Sequence, residues 1–130
     1  MKSQSSRMKR LFAPLCLLLS ATSVHASEVT CAGTVKHLSY HANNAFMIQL
    51  SSMNAPVMFC NPEQEWVVSG TSYRTGPQSC KMLYATFLAA KLSGGSFAGM
   101  YFDGDGVPAT CTGWGNFQAA NIRFYVMEEQ

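Results

Sequence analysis

Apolar positions recur with a period of two in several short stretches of this chain and with a helical period in one. Val29, Cys31, Gly33 and Val35 alternate with polar or small residues, which predicts a half-buried strand from about Val29 to Leu38. Asn43-Asn44 is a turn centre, because Asn tolerates positive φ. Phe46, Ile48 and Leu50 then alternate with Met47 and Gln49 as a second strand. Asn54-Ala-Pro56 breaks the chain, Val57 to Cys60 forms a third strand, and Asn61-Pro62 ends it. Glu65 to Val68 is a short β-like continuation before the turn-rich Ser69 to Ser72. A helix is predicted from about Cys80 to Ser93, with Pro77 and Ser79 as its start signal and Ser79 as N-cap, a stripe of Leu83, Phe87 and Ala90, and Gly94-Gly95 as its stop. Phe97 to Phe102 is strand-like, and Asp103 to Gly106 has turn chemistry. Ile122, Phe124 and Val126 alternate in a last strand.

The order of elements is thus β-β-β-α-β-β, a mainly β chain with one helix. That is the order of an OB-like five-stranded barrel, whose helix lies between its third and fourth strands. A β-sandwich with one packed helix is the alternative.

The first residues change the count of charges. Lys2, Arg7, Lys9 and Arg10 precede an apolar run from Leu11 to Ala21, and Val24-His25-Ala26 supplies the small residues of a cleavage site. This is the pattern of an export signal over residues 1–26, leaving one domain over 27–130. The run, about eleven residues, is too short for a membrane span of roughly 30 Å, so no membrane anchor is expected after cleavage. Cys16 sits inside the apolar core and leaves with it. The remainder keeps five basic and seven acidic side chains, a formal balance of −2. A mildly acidic domain with scattered basic residues does not have the footprint of a nucleic-acid binder.

Export also changes what the cysteines are. Cys31, Cys60, Cys80 and Cys111 form an even set in a short exported domain, which reads as two disulfides. Their spacing contains no C-x-x-C of a zinc site. Three pairings exist. Cys60–Cys80 with Cys31–Cys111 is the one expected, since Cys60 ends a strand and Cys80 opens the helix, while Cys31 and Cys111 lie in the first strand and a late one. The compartment implied is secreted or periplasmic.

No catalytic constellation is evident. An EF-hand loop starting at Asp103 needs an oxygen ligand at its fifth position and Glu at its twelfth, where Val107 and Trp114 stand. His37 and His41 are four residues apart, with no third ligand evident, so no metal is expected. Neither G-x-S-x-G nor H-E-x-x-H occurs, and no cofactor motif is present. The aromatic residues are the better lead. Phe46, Phe87 and Phe124 fit the core pattern, whereas Trp66, Tyr73 and Trp114 fall in turn-rich or short-strand regions and are the candidate ligand contacts. Trp66 is better explained as closing an end of the barrel. For Trp114, between Gly113 and Gly115, both roles stay open.

Several of these features together resemble a loose group of small secreted bacterial domains, mostly uncharacterised. They are the leader, Cys31-Ala-Gly, Cys60 after a strand, Cys80-Lys at the helix start, Leu88-Ala-Ala-Lys91, Tyr101-Phe-Asp103 and Cys111. The order of elements is distantly similar to the OB-type B subunits of secreted AB5 toxins, which form pentameric rings and bind cell-surface glycans. The resemblance implies a fold, and it allows a homo-oligomer, but it transfers no residue role. The function expected is a small exported non-catalytic module that binds a glycan or protein. A monomeric envelope accessory or inhibitor protein and an enzyme of another type are the alternatives.

Overall fold

The computed structural model describes residues 27–129, so the expected export signal over residues 1–26 lies outside the described residues. The elements run β1 (Glu28–His41), β2 (Ala45–Leu50), β3 (Val57–Cys60), β4 (Trp66–Val67), β5 (Arg74–Thr75), α1 (Pro77–Ser93), β6 (Ser96–Asp103) and β7 (Asn121–Met127). The chain is mainly β with one helix, as its patterning requires. Five strands form one antiparallel sheet in the order β3-β2-β1-β6-β7, and β4 with β5 makes a small separate hairpin. This is not the pair of large facing sheets that a sandwich would need.

The long first strand makes this order workable. The first half of β1 pairs with β6 and the second half with β2, and the register shifts between Cys31 and Gly33 and again between Val35 and His37. Gly33 has φ 113°, outside the range that a side chain favours. A Cβ placed there would also collide with Ser51 Oγ, which accepts a hydrogen bond from the Thr34 N–H at 3.2 Å. Gly33→Ala should therefore lower stability by about 2 kcal/mol, read as a lower urea midpoint at unchanged slope.

The two outer edges of the sheet meet at one point. Met58 of β3 and Ala119, just ahead of β7, form a single parallel bridge. The Met58 N–H donates to Gln118 O at 2.9 Å, and the Ala120 N–H donates to Met58 O at 3.0 Å. The edges do not pair beyond this point, and the sheet is not a closed barrel.

The helix begins earlier than its capping residue suggests. Pro77 occupies the first turn and Gly76 is the N-cap, without a side-chain hydrogen bond, so Ser79 lies inside the helix rather than capping it. Proline's fixed φ suits the first helical position, where its missing N–H costs nothing. Gly94 ends α1 in the left-handed conformation at φ 72°. The buried Phe87 meets Phe59, Phe97 and Tyr125 edge-on, with ring centroids 5.3–5.6 Å apart. These rings join Ile48, Leu50, Val57, Met100 and Phe102 in the main core.

Both disulfides form in the expected pairing. Cys60–Cys80 fastens the end of β3 to the first turn of α1, and Cys31–Cys111 fastens β1 to the connection between β6 and β7. Two such bridges fit an oxidising location outside the cytoplasm. No helix among the described residues is long and apolar enough to cross a membrane.

The last strand departs from its simple alternation. Ile122 pairs with Phe102 and Phe124 with Tyr101, so Arg123 is an extra residue in β7, a β-bulge. Beyond it the faces exchange. Ile122 and Tyr125 pack on the core, while Phe124 and Val126 are about half exposed on the outer face. Phe124, expected in the core, belongs instead to the surface.

Candidate functional site

The bulge delivers Arg123 to the outer face of β6 and β7, where three aromatic rings gather. Its guanidinium carbon lies over the Tyr73 ring at 4.3 Å from the centroid and over the Tyr101 ring at 5.1 Å. Tyr101 in turn stacks on Phe124, its cross-strand neighbour, with centroids 5.1 Å apart and planes 17° from parallel. A guanidinium among aromatic faces gains cation–π attraction, and the rings restrict its motion. The Tyr101 hydroxyl donates to the Glu28 carboxylate, and Glu28 lies across the sheet from Asp103.

Beneath this surface is a buried polar group. Asp103, at the end of β6, is 1% exposed. One carboxylate oxygen faces Arg123 Nε at 3.3 Å and accepts from the Thr71 hydroxyl at 3.1 Å. The other accepts from Asn121 Nδ2 at 3.1 Å, and Asn121 Oδ1 accepts from the Thr75 hydroxyl at 3.3 Å. A buried carboxylate needs such partners. Arg123 thus faces Asp103 through its Nε as an ion pair. Its terminal nitrogens have no hydrogen-bond partner among the described residues and carry four of the group's five N–H donors.

The segment linking β4 to β5 is the lid of this network. The Asp105 N–H donates to Ser69 O at 2.8 Å, and Gly70 sits against Asp105 with φ 88°, where any Cβ would strike the Asp105 backbone and carboxylate. This close approach carries Thr71 to Asp103 and Tyr73 to Arg123. The turn chemistry of Asp103 to Gly106 therefore has a second use, since its first residue is the buried anchor of the site.

The three aromatic candidates separate. Tyr73 is exposed and belongs to the site. Trp66 is half-buried and its Nε1 donates to Ala120 O at 3.0 Å, bracing the segment that enters β7. Trp114 is not an exposed stacking platform. It is 3% exposed, packs edge-on against Phe102 at 5.3 Å, and its backbone is held on both sides by the Asn54 side chain at 2.7 and 2.9 Å. Burial follows because Asn54 and the Cys31–Cys111 bridge draw the connection onto the core. Its Nε1 finds no partner among the described residues.

His41 hydrogen-bonds with Asn43 at 2.9 Å and meets Phe117 edge-on at 5.2 Å, while His37 is exposed. No group of three His, Cys, Asp or Glu side chains able to hold a metal occurs among the described residues. Phe117 is 61% exposed with φ 57°, an unusual backbone for a bulky residue. Sequence reasoning missed Glu28, Tyr101, Asp103, Arg123 and Phe124 as site residues. Asp103 read as turn chemistry and Phe124 as core, and the five meet only through the bulge and the lid.

Comparison with protein-family models, with curated proteins and with solved structures finds no match.

Proposed function

We propose that the chain is an exported, non-catalytic binding module that recognises a glycan or protein with the outer face of β6 and β7. Carrying this reading is the exposed assembly of Tyr73, Arg123, Tyr101 and Phe124 over the buried Asp103. Tyr and Arg held rigidly at a surface lose little freedom on binding and are the residue types that dominate recognition. An OB-like architecture is part of the same proposal. Its support is the strand order β3-β2-β1-β6-β7, the sharing of β1 between β2 and β6 with two register shifts, and the bridge between Met58 and Ala119. Export is supported by the two disulfides together with the basic, apolar and small-residue order of residues 1–26.

The test is capture of ligands from glycan arrays and from envelope and culture-medium proteins. Tyr73→Ala serves as the control, since an exposed loop residue can be removed with little effect on folding. Binding of a ligand that weakens about tenfold on Tyr73→Ala is the expected result. Binding unaffected by Tyr73→Ala and by Phe124→Ala would remove this face from the function.

A further inference from the structure

We propose that the ligand of this face is an uncharged pyranose sugar, an inference that rests on the binding-module reading above and narrows it. The charges within the site decide against an anion. Arg123 contributes one positive charge, but Asp103 is paired with it and Glu28 stands beside Tyr101, so the local formal balance is −1. A carboxylate, sulfate or phosphate approaching Arg123 meets a guanidinium already compensated and a second carboxylate nearby.

What the site does offer is a matched set of donors and acceptors around apolar ring surface. The terminal Arg123 nitrogens can donate in parallel to adjacent hydroxyl oxygens. The Glu28 carboxylate keeps lone pairs for hydroxyl donors after accepting from Tyr101. Phe124 is 50% exposed and Tyr73 48%, so each retains accessible surface against which the C–H face of a sugar ring can lie. Vicinal hydroxyls on one edge of a pyranose, with an apolar face perpendicular to them, satisfy all three features at once. The rigidity of the assembly favours a stiff ring over a flexible chain, because neither side has much freedom to lose.

The experiment uses the exported chain with its disulfides intact, against an array that pairs each neutral hexose-terminated glycan with sialylated, sulfated and uronic acid counterparts. Neutral glycans should bind, and their acidic counterparts should bind about tenfold more weakly or not at all. Phe124→Ala and Tyr73→Ala should each weaken the neutral ligand about tenfold. Glu28→Gln should weaken the neutral ligand while narrowing the gap to the acidic ones, a response that a merely structural Glu28 would not give. Circular dichroism and urea midpoints of the three surface variants verify that folding is unchanged. Preference for acidic glycans overturns the inference and leaves the module reading standing. Capture of a protein that Tyr73→Ala releases, with no sugar bound, has the same consequence. No ligand of either kind responding to these variants overturns both.

Discussion

Replacing Cys31 and Cys111 together with serine is expected to remove about 4.5 kcal/mol of stability, on a chain-entropy account of a bridge spanning 80 residues. Small domains have about 5–15 kcal/mol in all, so the variant should be largely unfolded at 37 °C or close to it. The bridge restrains the unfolded chain over most of its length, and its loss also frees the connection from β6 to β7 that holds Trp114 against Phe102. The nested Cys60–Cys80 bridge spans only 20 residues, and its removal should cost less, about 3 kcal/mol. Urea unfolding of the two double variants checks the order. Equal losses, or a larger loss from Cys60–Cys80, would contradict the entropic account.

Asp103→Ala is the second large effect. It leaves Arg123 without its counter-charge and removes the acceptor for Asn121 and Thr71, all gathered around a carboxylate that is 1% exposed. Breaking a buried pair from one side costs about 3–5 kcal/mol, and the partial exposure of Arg123 puts the value near the lower end. Asp103→Asn keeps the size and one acceptor, so its loss should be about half as great. Both variants should loosen Tyr73 and Arg123 and weaken ligand binding. Thermal melts with NMR shifts of the Tyr73 ring measure the two consequences separately. A melt unchanged by Asp103→Ala would mean that the buried network contributes nothing to stability.

How far the sequence carries depends on whether a feature is local. The alternation over β1, the Gly94 stop and the Cys60–Cys80 pairing are set by residues close in the chain and were legible, whereas β2 is a strand buried on both faces, with Met47 and Gln49 as buried as Ile48 and Leu50. Pro77 moved the helix start because a proline at the first turn outweighs a serine two residues later as a beginning. Arg123 shows the opposite situation. Period-two alternation from Ile122 assigns Phe124 and Val126 to the core, and one inserted residue reverses both. Nothing in the sequence around Arg123 announces that insertion, because the bulge is a property of how β7 matches β6. The site inherits this invisibility. Tyr73 was legible as a candidate from its turn-rich setting, but the partners that give it meaning lie 28 to 51 positions further along the chain. The choice between the two roles of Trp114 was not legible for a related reason, since the two hydrogen bonds that hold it come from Asn54, 60 residues away.

The nesting of the two bridges has a bearing on survival among proteases. Cys60 and Cys80 both lie inside the interval closed by Cys31 and Cys111. One backbone cut anywhere between Cys31 and Cys111 therefore leaves two fragments still joined by a covalent bond. A cut between Cys60 and Cys80, where the exposed segment over the ligand face lies, is bridged twice. Such a clipped molecule keeps its whole mass apart from one added water, and its fragments separate only when a reductant is added.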